Sequence, residues 1–221
     1  MENRMGQMIV RLIQNLFHAS VSTKQLVSNT AMFEKSYMSC NKEFWDKYAD
    51  ENEVRYNEEF AIYTRDLATS LRCTSVLEIG CGTGIDLRLF TDTFQIHGID
   101  LNDNALDIAK KKLSIADFKK GTITDLPFED SSIDFVFTHQ LLNYLDDDAL
   151  EKGVAEMYRV ARKYIMNCEK FEETEKQIDE NHKFRNMYKR WLNYKVKIVS
   201  NVDMHEDIEP DKARFTLLRK L

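Results

Sequence analysis

Three glycines, Gly80, Gly82 and Gly84, alternate with Cys81 and Thr83 directly after the apolar run at residues 76–79, and Glu78 stands two positions ahead of the first. A main chain this bare lets a ligand approach backbone N–H groups that side chains would otherwise screen. Several ligand classes use such a turn, and the neighbouring residues separate them. A phosphate-cradling GxxxxGK[ST] loop needs a lysine that does not follow Gly84, which disfavours nucleoside triphosphate hydrolysis. The GxGxxG dinucleotide fingerprint needs glycine where Ile85 stands, which weakens a nicotinamide or flavin site. What stands here is ExGxGxG, followed by a second carboxylate, Asp100, at the end of FQIHGID.

Those residues need a frame to hold them. Short apolar runs suited to buried strands occur at residues 75–79, 94–99, 133–138 and 164–168, with a weaker one at 116–120. Helices are expected between them at 85–90, 104–113 and 146–162. Strands alternating with helices imply right-handed crossovers and a mostly parallel sheet. Upstream, residues 44–71 read as one helix with Trp45, Tyr48, Tyr56, Phe60 and Tyr63 on an aromatic face, and residues 1–35 read as amphipathic helix. Downstream, residues 195–202 and 213–218 read as strands separated by MHEDIEPDK, which pairs them antiparallel. Pro127 and Pro210 both fall in connections.

Taken with the later stretch GTITDLPFEDSSIDFVF, the set Glu78, Gly80, Gly82, Gly84 and Asp100 resembles the class I S-adenosylmethionine-dependent methyltransferases, the type 11-like members included. The motifs cover residues 75–169, and the paired terminal strands extend the likeness to Leu221. The resemblance implies a Rossmann-like α/β fold with a seven-stranded, mostly parallel sheet, a terminal antiparallel hairpin and a helical N-terminal extension. Residues 1–72 would be that extension or lid, 73–221 the cofactor-binding domain, and 170–194 a helical insertion on the substrate side. It implies an enzyme with S-adenosylmethionine as cofactor, a molecule without pyrophosphate, so carboxylates are welcome beside it. Asp100 would accept from both ribose hydroxyls, while Gly80, Cys81, Gly82 and Gly84 let the backbone approach the amino-acid end. Glu78 would sit beneath that end and add negative potential near its ammonium. Thr122 stands where many members carry an acid, so its hydroxyl or carbonyl, Asp125 or a neighbouring main-chain group would meet the adenine amine. Leu101 and Ile123 are apolar walls for the ring or simple core.

In open parallel sheets the ligand lies outside the carboxyl ends of the strands, so Thr138 and the residues up to Tyr144 should face the cofactor and the acceptor. His139 is the candidate general base for a hydroxyl, with Tyr144 behind it, and Gln140 and Asn143 are candidate substrate contacts. The alternative is a site that works by aligning the nucleophile alone. Residues 181–200 carry Lys183, Arg185, Lys189, Arg190, Lys195 and Lys197 with no acid, and Phe184, Met187, Tyr188 and Trp191 at helical spacing. The resemblance implies that an insertion here covers the substrate, which would bring Arg185, Tyr188 and Lys189 toward an anionic or sugar-derived small molecule; the alternative is a solvated charged helix packed through its aromatics. FWDKYADENEVRYNEEF and YIMNCEKF loosely resemble methyltransferases associated with pseudaminic acid biosynthesis, which implies a sugar-derived acceptor. No NPPY-like tetrapeptide follows the fourth strand and no Asp/Asp/Asn metal arrangement is recognisable, so no metal is expected.

A formal charge of −6 argues against a surface built for nucleic acid, and four cysteines without a CxxC pair fit a reducing cytoplasm. No stretch approaches the roughly 20 apolar residues of a membrane span. The N-terminal helix is expected to pack on the domain, with membrane-surface contact as the alternative. A non-catalytic cofactor-binding module, or more distantly a nicotinamide-dependent oxidoreductase, competes with the enzyme. Nothing in the composition fixes the oligomeric state.

Overall fold

The computed structural model describes residues 42–51, 56–180, 182–210 and 213–221. Asn41–Leu221 form one compact unit, so the boundary expected at residue 72 falls inside it. The expected amphipathic helix over residues 1–35 lies outside the described residues.

Seven strands form one sheet in the order β3-β2-β1-β4-β5-β9-β8, with β1 (Ser75–Ile79), β2 (Gln95–Asp100), β3 (Asp117–Lys120), β4 (Ile133–His139), β5 (Ala161–Glu169), β8 (Val196–Asp203) and β9 (Arg214–Lys220). The first five are parallel, and β9 runs antiparallel to both β5 and β8. All five residues of β1 and the first six of β4 are buried, as strands covered on both faces must be. The chain leaves β1 for β2 on one side and later returns to β4 on the other, so a crevice opens at the carboxyl ends of β1 and β4. Phe60, Leu87, Phe90, Phe118, Phe135 and Phe137 are among the buried side chains of the core.

Three helical expectations require correction. The run at 44–71 is not continuous: α1 covers residues 42–51, and α2 (Glu58–Ser70) starts afresh where the Asn57 side chain accepts from Phe60 N at 3.1 Å. An asparagine at this position opens a helix because its side-chain carbonyl satisfies an otherwise orphan N–H. Residues 85–90 form no regular helix either. Leu87, Arg88 and Phe90 donate only to the third residue back, giving successive tight turns that press Leu87 and Phe90 into the core. The six residues before Thr91 are too few to propagate a helix.

The remaining helices open as their caps dictate. Asn102 caps α3 (Asp103–Lys112) and Asp146 caps α4 (Asp147–Val160). The segment 170–194, expected to be helical, is instead an antiparallel hairpin of β6 (Lys176–Asp179) and β7 (His182–Phe184) followed by the short helix α5 (Met187–Trp191). No helix of the described residues is long and apolar enough to cross a membrane.

Candidate cofactor and acceptor site

The glycine loop leaves β1 with Gly80, Gly82 and Gly84 all at positive φ, 75°, 49° and 69°. Gly80 N and Cys81 N donate back to Ile99 O, at 2.7 and 3.1 Å, which holds the loop against the end of β2. There Asp100 accepts from Gly82 N through one oxygen and from Asn102 N through the other, both at 2.8 Å. One carboxylate thus ties the loop to the start of α3. Burial raises the Asp100 pKa, against the N–H groups of Asn102, Gly82 and Leu101 that hold it down. A Cβ on Gly80 would lie 2.8 Å from Leu141 Cδ1, so the turn after β4 packs directly on the bare main chain.

Behind the loop lies an array of buried acids around one imidazole. His139 Nδ1 is 2.7 Å from Asp86 Oδ2 and its Nε2 is 2.8 Å from Glu209 Oε2, with Phe60 stacked on the ring at 3.8 Å. Burial opposes charge on this ring, but the Asp86 and Glu209 carboxylates outweigh it and raise the His139 pKa to about 10. The residue is therefore an imidazolium near neutral pH, donating from both nitrogens. Glu78 meets Asp86 from below, and burial first, then the Asp86 and Asp100 charges, push its pKa well up. Glu78 Oε2 and Asp86 Oδ1 are buried with no hydrogen-bond partner among the described residues. Buried orphan oxygens are expensive unless a ligand or a shared proton satisfies them.

A carboxylate at the β2 terminus, a glycine loop and an acidic floor match what a ribose diol and an amino-acid ammonium need. The sequence agrees: residues 76–164 match the family model described as a methyltransferase domain. Over these residues the chain is similar to methyltransferase domains, on a sheet whose order opens a crevice at the ends of β1 and β4. The chain is 30% identical over 115 residues to a probable S-adenosylmethionine-dependent methyltransferase of Mycolicibacterium smegmatis, covering 52% of this chain and 43% of that protein. It is 36% identical over 95 residues to phosphoethanolamine N-methyltransferase 2 of Caenorhabditis elegans, covering 40% of this chain and 21% of that one. The chain thus spans less than half the length of either relative. Among solved structures, phosphoethanolamine N-methyltransferase 1 of Haemonchus contortus, in complex with phosphoethanolamine and S-adenosylhomocysteine, superposes with a TM-score of 0.64 at 20% identity, covering 87% of this chain and 50% of that one.

Around the glycine loop, the other expected cofactor contacts divide. Gly121 N donates to Asp100 O at 3.0 Å, so Thr122 stands one residue beyond the tie to the end of β2, and its hydroxyl lies 3.2 Å from that of Thr124. Leu101 is half-buried at the end of β2. Ile123 is spent on packing: its methyl groups face Gly153 on α4, where a Cβ would meet them at 2.9 Å. Cys81 is buried, and burial raises its thiol pKa. Thr138 does not face the cofactor side. Its hydroxyl donates to Glu169 Oε1 at 2.8 Å and accepts from Asn167 Nδ2 at 2.9 Å, while Asn167 Oδ1 accepts from Trp191 Nε1 at 2.6 Å.

The acceptor-side expectations change more. His139 offers no lone pair with both nitrogens engaged, so a role as base would require release from a carboxylate. Gln140, at φ 54°, is held by its N–H to Cys168 O and reaches Glu209 Oε1 at 3.4 Å. Asn143 is a clip, not a substrate contact: it is buried, donates to Lys170 O and Lys183 O and accepts from Lys170 N. Tyr144 stacks on His182 at 4.8 Å and meets Trp45 of α1 edge-on at 5.1 Å. Arg185 is not a free cation for substrate. It is 2% exposed, pairs with Asp147 and Glu175 and donates to Leu145 O, so it pins the hairpin to α4. Lys189 is exposed and pairs with Glu173 at 2.8 Å, and Tyr188 is half-buried on α5.

Two contributors were not singled out in the sequence. Asp86 and Glu209 flank His139. Helix α1 crosses the mouth of the crevice, with Asp46 and Asp50 accepting from Asn102 and Asn104 at 3.0 Å on one side and Trp45 against Tyr144 on the other.

Proposed function

We propose that this protein transfers the methyl group of S-adenosylmethionine to a small-molecule acceptor. The observation that carries the reading is the Asp100 carboxylate drawn into the glycine loop beside the orphan oxygens of Glu78 and Asp86, at the carboxyl ends of β1 and β4. When bound, the cofactor supplies an electrophilic methyl group on a positively charged sulfur. Asp100 takes the ribose hydroxyls, Gly80, Gly82 and Gly84 admit the amino-acid end, and Thr122 with Leu101 borders the adenine. Gln140 and Tyr144 face the acceptor, and α1 excludes water from above. The work of the protein is alignment and desolvation more than covalent chemistry.

The phosphoethanolamine methyltransferases among the relatives support a small polar acceptor. The anionic or sugar-derived acceptor expected from the cations after residue 181 loses its footing, because Lys183, Arg185 and Arg190 are paired with Asp147 and Glu175. Incubation with methyl-labelled cofactor and a metabolite extract tests the function: a labelled small molecule is expected. The doubly engaged His139 favours one rival, a cofactor-binding module without turnover, which predicts binding with no label transferred.

A further inference from the structure

Both nitrogens of His139 are engaged with carboxylates, so that ring cannot take a proton from a methyl acceptor. A second histidine, on the hairpin inserted after β5, has a nitrogen to spare. His182 opens β7 and lies flat on Tyr144, with ring centroids 4.8 Å and planes 7° apart, while Phe184 stands edge-on to it at 5.3 Å. Tyr144 closes the turn Leu142–Tyr144 after β4, and Leu141 at the head of that turn packs on Gly80, so the imidazole stands on the acceptor side of the crevice. The hairpin is clipped in place there. Asn143 donates to Lys183 O, next to His182, at 2.9 Å, and Lys183 pairs with Asp147 of α4 at 2.9 Å. His182 Nδ1 faces Asp179 Oδ2 at 4.0 Å, and its Nε2 is buried with no hydrogen-bond partner among the described residues. A proton on Nδ1 answers the Asp179 carboxylate and leaves the lone pair on Nε2. A buried nitrogen without a partner costs stability that a ligand's hydrogen bond would restore.

Resting on the methyl-transfer reading above, we propose that His182 Nε2 is the proton acceptor of the reaction and that the methyl acceptor carries this proton on a hydroxyl or an amine. The O–H or N–H bond of that molecule breaks toward Nε2, and its electron pair forms the new bond to the methyl carbon. The carbon–sulfur pair stays behind on the sulfur, and the imidazolium gives its proton to solvent. A molecule that is already an anion at neutral pH, such as a carboxylate, has no use for this residue. The charges around the ring suit the role. Burial lowers the His182 pKa, Lys170 after β5 acts in the same direction and Asp179 on β6 opposes both, so the ring is neutral near pH 7 and its lone pair is available. Tyr144 is the positioning residue, because its ring sets the plane of the imidazole.

Two measurements test this. Long-range nitrogen NMR of the full chain should show the His182 ring, assigned through its contacts with Tyr144, titrating below the ordinary histidine value of about 6.5 with its proton on Nδ1. A ring doubly protonated near pH 7, or one with its proton on Nε2, overturns the proposal with no variant needed. The second measurement follows methyl label from S-adenosylmethionine into a metabolite extract. His182→Gln should slow transfer near pH 7 by about 100-fold or more, while the affinity for S-adenosylhomocysteine changes by less than about twofold. Transfer by the unmodified protein should rise with pH through the value that NMR gives for His182, a limb that His182→Gln lacks. Added imidazole should restore part of the transfer by His182→Ala, which the loss of a merely structural contact would not allow. The chemical shift of the transferred methyl carbon separates the two classes of product, since carbon bonded to oxygen is the more deshielded. A methyl ester as the product, or equal transfer by the unmodified protein and His182→Gln, overturns the proposal and leaves methyl transfer standing. No label transferred by the unmodified protein overturns the methyl-transfer reading and this proposal with it. The NMR titration decides the matter alone if neither variant folds.

Discussion

Gly80→Ala tests the contact between the cofactor loop and the acceptor-side turn. At φ 75° an alanine incurs the left-handed penalty of about 1–2 kcal/mol. Its methyl group would also stand 2.8, 3.0 and 3.1 Å from Leu141 Cδ1, Cδ2 and Cγ, closer than carbon atoms tolerate. Overpacking of this kind costs about 1–3 kcal/mol, because a leucine end can swing aside only partly. The substitution should therefore destabilise the protein by roughly 2–5 kcal/mol, read as a fall in the urea midpoint at unchanged slope. Leu141→Ala removes the steric share, so in that background Gly80→Ala should cost only about 1–2 kcal/mol, a coupling of about 1–3 kcal/mol. A loss below about 0.5 kcal/mol, or an equal loss in both backgrounds, would refute the packing of Leu141 on the bare main chain.

Three further outcomes follow from the same geometry. Glu169, whose pKa burial raises to about 7 against donors from Thr138, Leu142 and Leu141, and His139, raised to about 10, both hold protons more tightly folded than unfolded. Their contributions are full below the unfolded values, about 4.5 and 6.5, and are lost as pH rises through the folded ones, so the melting temperature should fall in two phases. Glu169→Gln should remove the lower phase and His139→Gln the upper; a flat profile in the unmodified protein contradicts both. Glu169→Gln should also cost about 1–3 kcal/mol, since its amide cannot accept from Leu141, Leu142 and Thr138 together. Arg185→Ala should cost about 2–4 kcal/mol of stability while altering cofactor affinity less than about twofold; a selective loss of acceptor binding would restore its expected substrate role.

The sheet was legible because its strands are apolar runs too short for helices and bounded by turns, and β8 and β9 stood out by the lack of any helix between them. The helices were less so. A periodicity that runs through Asn57 cannot show that its side chain caps α2, and the pattern of residues 85–90 fits one helical turn without having the length to continue. The hairpin β6–β7 was hidden because all four residues of β6 are exposed, so no alternation marks a buried face. Arg185 was misplaced for a related reason: helical spacing was read across a boundary between strand and helix, and its acidic partners, Asp147 and Glu175, lie on other elements. Glu78, the glycines and Asp100 could be found from spacing because they share two adjacent strand ends. Asp86 and Glu209 could not, since only the fold brings an acid from each of two distant loops to the two nitrogens of His139.

The central claim is that Asp100 and the glycine loop bind S-adenosylmethionine. Equilibrium dialysis of the labelled cofactor against the unmodified protein and Asp100→Ala tests it most directly. The predicted result is saturable binding that weakens by about 10- to 100-fold on substitution, as the loss of a charge-assisted pair of hydrogen bonds requires, with no competition from NADH. Equal affinity in the two proteins, or displacement by NADH, would contradict it.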